Sequence, residues 1–320
     1  MALSKPVQLA LRWLFENPLP IPGVCGIIGD YASWFQGVHY KTINTNARDN
    51  TALIALPNGR LASGSHDGTV RVWNTNTGAC LLTFAGHTDG VWALAVLSEA
   101  TLASGSADST VRVWNTNTGA CLLTLAGHTG GVWVLAALSE AMLASGSHDG
   151  TMRVWNTNTG ACLLTFAGHT GGLMALAVLS DGKLASGSGD ATVRVWDTNT
   201  GACLLTLAGH TDEVNCVAAL SNGKLASGSD DHTVRIWDTN TGACLLTLAG
   251  HTDEVNCVAA LSDGKLASGS HDSTVRVWDT NTGACLLTLA GHTAPVWDLA
   301  VLSDGTLASG SSDGTIIIWR

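Results

Sequence analysis

Charge is scarce in this sequence. Asp, Glu, Lys and Arg make up 12% of 320 residues, too few to coat a set of long surface helices, so many short strands joined by tight turns are expected instead. The charge present leans acidic: 25 Asp and Glu against 15 Lys and Arg leave a formal net charge of −10. A basic surface for nucleic acid is therefore disfavoured. No Cys-X-X-Cys pair points to zinc, and no apolar run is long enough to span a membrane. Neither a phosphate-cradling loop, a metal-ligating cluster nor an unpaired nucleophile stands out, so no cofactor, no metal and no catalytic activity are expected.

Glycine is plentiful, at 37 residues, and the hydrophobic fraction of 46% is ample for a core. Both are distributed periodically. Tryptophan stands at Trp73, Trp114, Trp155, Trp196, Trp237, Trp278 and Trp319, at intervals of 41 residues. Such a fixed period marks a repeat architecture and overrides the two-domain expectation from length. Aspartate precedes each by six residues, from Asp67 to Asp313, and Gly-His recurs six times, from Gly86-His87 to Gly291-His292. The slot before the first copy holds Thr45-Asn46. Six of nine cysteines (Cys80, Cys121, Cys162, Cys203, Cys244, Cys285) occupy one repeated position, too far apart to bridge. Reduced thiols imply a reducing compartment, the cytoplasm or secondarily the nucleus.

Residues 1–36 stand outside the repeats. Val7–Phe15 could form a short helix, which Asn17-Pro18-Leu19-Pro20-Ile21-Pro22 would stop. A targeting presequence is disfavoured because Arg12 interrupts the apolar run and no clear cleavage site follows. An N-terminal helix or coil extension is expected over 1–36, with the array over 37–320.

Each unit reads as four strands. In one copy these are 202–207, 214–220, 224–227 and 233–237, with turns at Gly209-His210, Asn222-Gly223, 228–232 and 238–242. A four-stranded antiparallel meander at this period is a propeller blade. Gly-His, a strand ending Ser-Gly-Ser, Asp, then Val-Arg-Val-Trp-Asp resembles the WD-repeat β-propellers over residues 37–320. The Trp-Asp pair is intact at 196–197, 237–238 and 278–279 and becomes Trp-Asn at 73–74, 114–115 and 155–156. The last unit stops at its third strand, and Val38–Ile43 aligns with the missing fourth one. The expectation is an all-β, seven-bladed propeller of four-stranded antiparallel blades, closed by strand 38–43 pairing with the last blade.

Ser227, His210 and Asp231 could be a hydrolase triad, but six copies at identical spacing favour struts over active sites. The resemblance implies a buried structural chain from Trp237 to Ser227, His210 and Asp231, repeated around the molecule. The six recurring arginines, Arg71 to Arg276, each fall two residues before a tryptophan, from Trp73 to Trp278, on the same side of the strand, and are expected to be framework.

Within the chain the repeats differ chiefly at three slots near one end of the blade: three and five residues after the histidine, and the residue before the aspartate. The resemblance makes these the usual partner-contact positions. Trp92, Trp133, Met174 and Trp297 give an apolar arc, uncovered where Gly90, Gly131 and Gly172 lie beside them. Glu213, Asn215, Asp230, Glu254 and Asn256 give an adjoining acidic and polar arc, with His66, His148 and His271 at the third slot. A shared metal at these histidines is disfavoured by their separation, though they could make binding pH-dependent. At the opposite end Lys183, Lys224 and Lys265 read as a solvated rim.

The expected function is a non-catalytic scaffold, a monomer or part of a multiprotein complex, binding a protein or peptide with a hydrophobic anchor next to basic residues. The alternatives are a substrate-recognition adaptor of a ubiquitin ligase and a recently amplified repeat protein without a dedicated ligand. Adaptors of this family often carry arginine three residues after the repeat tryptophan, where this chain has Asn76, Asn117, Asn158, Asn199, Asn240 and Asn281.

Overall fold

The computed structural model describes residues 39–44, 50–56, 60–74, 79–301, 305, 307–313 and 315–319; the extension expected over 1–36 lies outside them. Among the described residues every element is a strand, and the strands form seven four-stranded antiparallel sheets. Blade 1 lies between residues 50 and 84, blade 2 between 91 and 126, blade 3 between 132 and 167, blade 4 between 173 and 208. Blade 5 lies between 214 and 249, blade 6 between 255 and 290, and blade 7 between 296 and 319. The all-β, seven-blade architecture is the expected one.

Blade 7 is completed from the other end of the chain. Its order is Val296–Val301, Leu307–Ser311, Thr315–Trp319, His39–Asn44. Thr42 pairs with Ile317, Ile43 with Ile316 and Asn44 with Thr315. The first strand thus fills the vacant fourth position, one residue later at each end than expected.

Blade 5 shows why these residues make these strands. Its strands are Val214–Ala219, Lys224–Ser229, Thr233–Asp238 and Cys244–Ala249. Leu225-Ala226-Ser227-Gly228-Ser229 is buried throughout, so both faces of the second strand meet packed neighbours and small residues dominate it. At Gly228 a Cβ would come 2.6 Å from Val255 Cγ1 and 2.7 Å from Cys216 Sγ; only glycine fits. The hairpin between the first two strands places Asn222 at φ 60° and Gly223 at φ 69°, the paired left-handed conformation that Asn-Gly supplies.

The turn after the tryptophan explains why Trp-Asp and Trp-Asn interchange. Asp238 Oδ1 accepts the N–H groups of Asn240 and Thr241 at 2.7 and 3.1 Å. Asn115 Oδ1 accepts those of Asn117 and Thr118 at 2.9 and 3.0 Å. Either side chain provides the one acceptor oxygen that the turn requires.

The chain divides into two compact units. The first holds blades 1 and 2 and most of blade 3; the second holds blades 4 to 7, including His39–Asn44. Within each, cores form where one blade meets the next. In the first, Val70, Val72 and Phe84 pack with Val91, Leu102 and Trp114. In the second, Val234, Ile236 and Leu248 pack with Val255, Leu266 and Trp278. An indole buries roughly 150–250 Å², worth at most about 4–6 kcal/mol per ring.

Candidate functional site

The recurring Trp, Ser, His and Asp do form one hydrogen-bonded chain. In blade 5, Trp237 Nε1 donates to Ser227 Oγ at 2.8 Å, Ser227 Oγ lies 2.7 Å from His210 Nε2, and His210 Nδ1 lies 2.7 Å from Asp231 Oδ2. The proton positions follow from the donors available. Indole can only donate, so the single hydroxyl proton points to His Nε2, and the histidine carries its own proton on Nδ1 toward the carboxylate. Burial lowers the His210 pKa below its ordinary value, outweighing the opposing pull of Asp231, which keeps this neutral tautomer. Asp231 also accepts from the Thr211 and Thr233 N–H groups and the Thr233 hydroxyl.

The same chain recurs from blade 2 to blade 7. Ser104, Ser145, Ser186, Ser227 and Ser268 are wholly buried, so these hydroxyls reach no substrate and the hydrolase reading fails on access. Among the described residues, the chain in blade 1 has two members. Trp73 Nε1 still donates to Ser63 Oγ at 2.8 Å, but Asp67 pairs with Arg71 Nη2 at 2.5 Å, as the missing histidine would allow.

On the first unit the variable slots build an aromatic ladder. His66 meets Trp92 edge-on with ring centroids 5.5 Å apart, Trp92 stacks on Trp133 at 6.0 Å, and Trp133 stacks on His148 at 5.2 Å. Trp92 and Trp133 are 36% and 38% exposed, so each offers part of an indole face while the rest packs on its neighbours. Gly131 leaves no room for a side chain, since a Cβ there would come 2.8 Å from Trp133 Nε1 and 3.1 Å from Ala107 Cα, while one at Gly90 would crowd Trp92 Nε1 at 3.3 Å.

The second unit is polar around one tryptophan. Trp297 is 53% exposed, meets His271 edge-on at 5.2 Å and donates from Nε1 to Ser312 Oγ. His271 Nδ1 lies 2.9 Å from Glu254 Oε2, an ion-pair distance without hydrogen-bond alignment. Glu213 leans over Gly189, where a Cβ would stand 3.4 Å from its carboxyl carbon. The asparagines are tied down. Asn215 Nδ2 donates to Asp230 Oδ1 and to the Val255 carbonyl, and Asn256 Nδ2 donates to the Val296 carbonyl at 3.0 Å. They strap one blade to the next, a role that the three-slot comparison did not reveal. Met174 is half-buried.

Seven matches to the WD40 family model (WD domain, G-beta repeat) cover residues 48–74, 78–115, 119–156, 160–197, 201–238, 242–279 and 283–320. The chain belongs to the WD40 family. Its curated relatives include the "Probable E3 ubiquitin ligase complex SCF subunit sconB" of Aspergillus clavatus, 49% identical over 47 residues, which are 13% of this chain and 7% of that protein. The protein of the same name from Emericella nidulans is 40% identical over 63 residues, 20% of this chain and 8% of that one. The matched segments thus span less than a tenth of these relatives' length.

Two further features of the WD40 blades escaped the slot comparison. Asp298 follows Trp297 at a position held elsewhere by Ala93, Val134, Ala175, Cys216 and Cys257. The residue as a whole is exposed, but desolvation of its carboxyl group by the surrounding chain pushes its pKa up to about 6, against the Leu299 N–H that it accepts at 2.8 Å. Its being the one acid in that row was the available signal. At the other end of the blades, Lys183 pairs with Asp181 at 2.7 Å and Lys224 Nζ donates to Asn281 Oδ1 at 3.3 Å. The Lys224 contact runs from blade 5 to the turn between the third and fourth strands of blade 6, so the expected solvated rim also contributes contacts between blades. Among the described residues no group of three or more His, Cys, Asp or Glu is arranged to hold a metal ion.

Proposed function

We propose that this WD40 chain is a non-catalytic scaffold that binds a protein or peptide through the variable slots, using an aromatic anchor beside carboxylates. The observation that carries the reading is the grouping of Trp297, His271 and Glu254. A half-exposed indole stands one ring contact from a histidine, which itself stands at ion-pair distance from a carboxylate. Tryptophans of this kind are frequent interface anchors, and an adjoining acid favours a ligand with Lys or Arg next to its apolar residue. The Trp92–Trp133 ladder offers a second, wholly aromatic surface on the first unit.

The test compares proteins co-purifying with the full chain and with the Trp92→Ala, Trp133→Ala, Trp297→Ala variant, after thermal melting shows the variant folded. Loss of the bound proteins supports the reading; undiminished capture places the site elsewhere. A ubiquitin-ligase adaptor is the second reading, favoured by the names of the relatives. It predicts that the full chain co-purifies with other subunits of such a ligase complex, and their absence from the purified assembly counts against it.

A further inference from the structure

The six repeated cysteines and the repeated arginines remain outside the proposed function, and the structure brings them together. In blade 5 the fourth strand carries a register shift: Ile236 pairs with Leu246, but Trp237 pairs with Cys244. Leu245 is therefore an extra residue, a bulge, and lies exposed. The bulge turns Cys244 onto the face of the sheet that already carries Arg235 and Trp237. The shift recurs at Trp114 with Cys121 and at Trp278 with Cys285.

On that face each guanidinium is fixed in place. Arg235 lies over the Trp237 ring at 6.0 Å, and a Cβ at Gly209 would come 2.8 Å from its Nη1. From this slot Nη1 points to the Cys244 sulfur at 3.6 Å. Arg112 reaches Cys121, Arg153 reaches Cys162 and Arg276 reaches Cys285, each at 3.7 Å. All four thiols are exposed. Among the described residues, no carboxylate stands at ion-pair distance from Arg112, Arg235 or Arg276, and the Nε atoms of Arg112, Arg153, Arg235 and Arg276 are buried without a partner. A fixed, uncompensated guanidinium beside an accessible sulfur favours an anionic reagent.

We propose that Cys121, Cys162, Cys244 and Cys285 are sites of reversible S-thiolation by small anionic disulfides, whose carboxylates dock on Arg112, Arg153, Arg235 and Arg276. The thiol first gives its proton to solvent. The thiolate then attacks one sulfur of the disulfide; a new S–S bond forms, the old one breaks, and its electron pair leaves on the second sulfur as a small thiolate. One protein mixed disulfide and one small thiol result, with no further oxidant.

The chain contains its own controls. At Cys80 the same bulge is present, but Arg71 is drawn to Asp67 at 2.5 Å and its charge is already neutralised. Cys216 and Cys257 are buried on first strands, and burial pushes the Cys257 thiol well above its ordinary value.

The experiment treats the full chain with glutathione disulfide and follows each cysteine by peptide mass spectrometry, then repeats this with cystamine, a cationic disulfide. Trypsin places Cys80, Cys121, Cys162 and Cys285 on peptides of different sequence. Cys121 and Cys285 should react several-fold faster than Cys80 with the anionic reagent and lose that lead with the cationic one. Arg276→Gln should bring Cys285 down to the Cys80 rate while Cys121, in the same molecule, keeps its own. Continued protection of Cys216 and Cys257 shows that the variant is folded. Equal rates at Cys80 and Cys121, the same ranking with both reagents, or products dominated by disulfides between chains would overturn the proposal.

Discussion

Trp237 reaches diagonally across the second and third strands of blade 5 to Ser227, which pairs with Arg235, and its indole Nε1 donates to the hydroxyl at 2.8 Å. That single bond orients the rest of the chain. With the oxygen accepting from indole, its only proton is directed to His210, and the His210 proton to Asp231.

Removing the serine hydroxyl strands two buried groups at once. Ser227→Ala leaves Trp237 Nε1–H and His210 Nε2 without a partner at a wholly buried site, costing about 1–3 kcal/mol for each orphaned group. Ser63→Ala orphans, among the described residues, only the Trp73 N–H, because the histidine slot of blade 1 holds Asn46, and should cost about half as much. Urea denaturation of the two variants beside the parent chain measures both; equal losses would count against the chain acting as one network.

Acid should destabilise the protein in two stages. Burial is the main cause of the lowered pKa of His87, His128, His169, His210 and His251. The folded state resists protonating them, so the unfolded chain binds protons first as pH falls. Their contribution is complete above the ordinary histidine value of 6.5 and is lost progressively below it. Burial would raise the pKa values of Asp190, Asp272 and Asp313, but hydrogen bonds from Thr192, Thr274 and Thr315 and from neighbouring groups win and hold them at about 2. A second loss follows from about pH 4 down to about 2. Melting temperatures between pH 8 and pH 3 should be flat at the alkaline end and fall below pH 6.5; a profile that stays flat down to pH 4 would mean that the buried histidines accept protons without cost to the fold.

The edge of the last blade depends on a strand from the far end of the chain. Deleting residues 1–44 removes the partner of Thr315–Trp319 and leaves a strand with three consecutive isoleucines, Ile316-Ile317-Ile318, as an open edge. Unpaired apolar edges recruit further strands. Light scattering of the truncated chain should show aggregates at concentrations where the full chain is monodisperse, and a truncated chain that melts like the parent would refute the dependence.

The straps from blade 5 to blade 6 and from blade 6 to blade 7 separate stability from binding. Asn215→Ala and Asn256→Ala each remove amide donors to a neighbouring blade's carbonyl, at about 1 kcal/mol apiece. Both should lower the melting temperature while leaving partner capture close to that of the parent; Trp297→Ala, whose ring is half in solvent, should do the reverse.

The periodicity alone determined the number of blades, the strand order within each and the completion of the last one by residues near 38–43. A 41-residue repeat with alternating strands and Asn-Gly turns has few other ways to cover its apolar faces. The Trp, Ser, His and Asp network was legible only through the family resemblance that these recurring residues carry, and it fits the need of a buried polar group for a partner. Tertiary structure decided what the non-repeating residues do. Asn215 and Trp297 occupy the same slot in the repeat, yet one is strapped to the next blade and the other stands half in solvent. Asp67 shares its slot with Asp231 but pairs with an arginine. Those outcomes depend on which group a neighbouring blade places within about 3 Å, a distance in space that one-dimensional spacing does not encode.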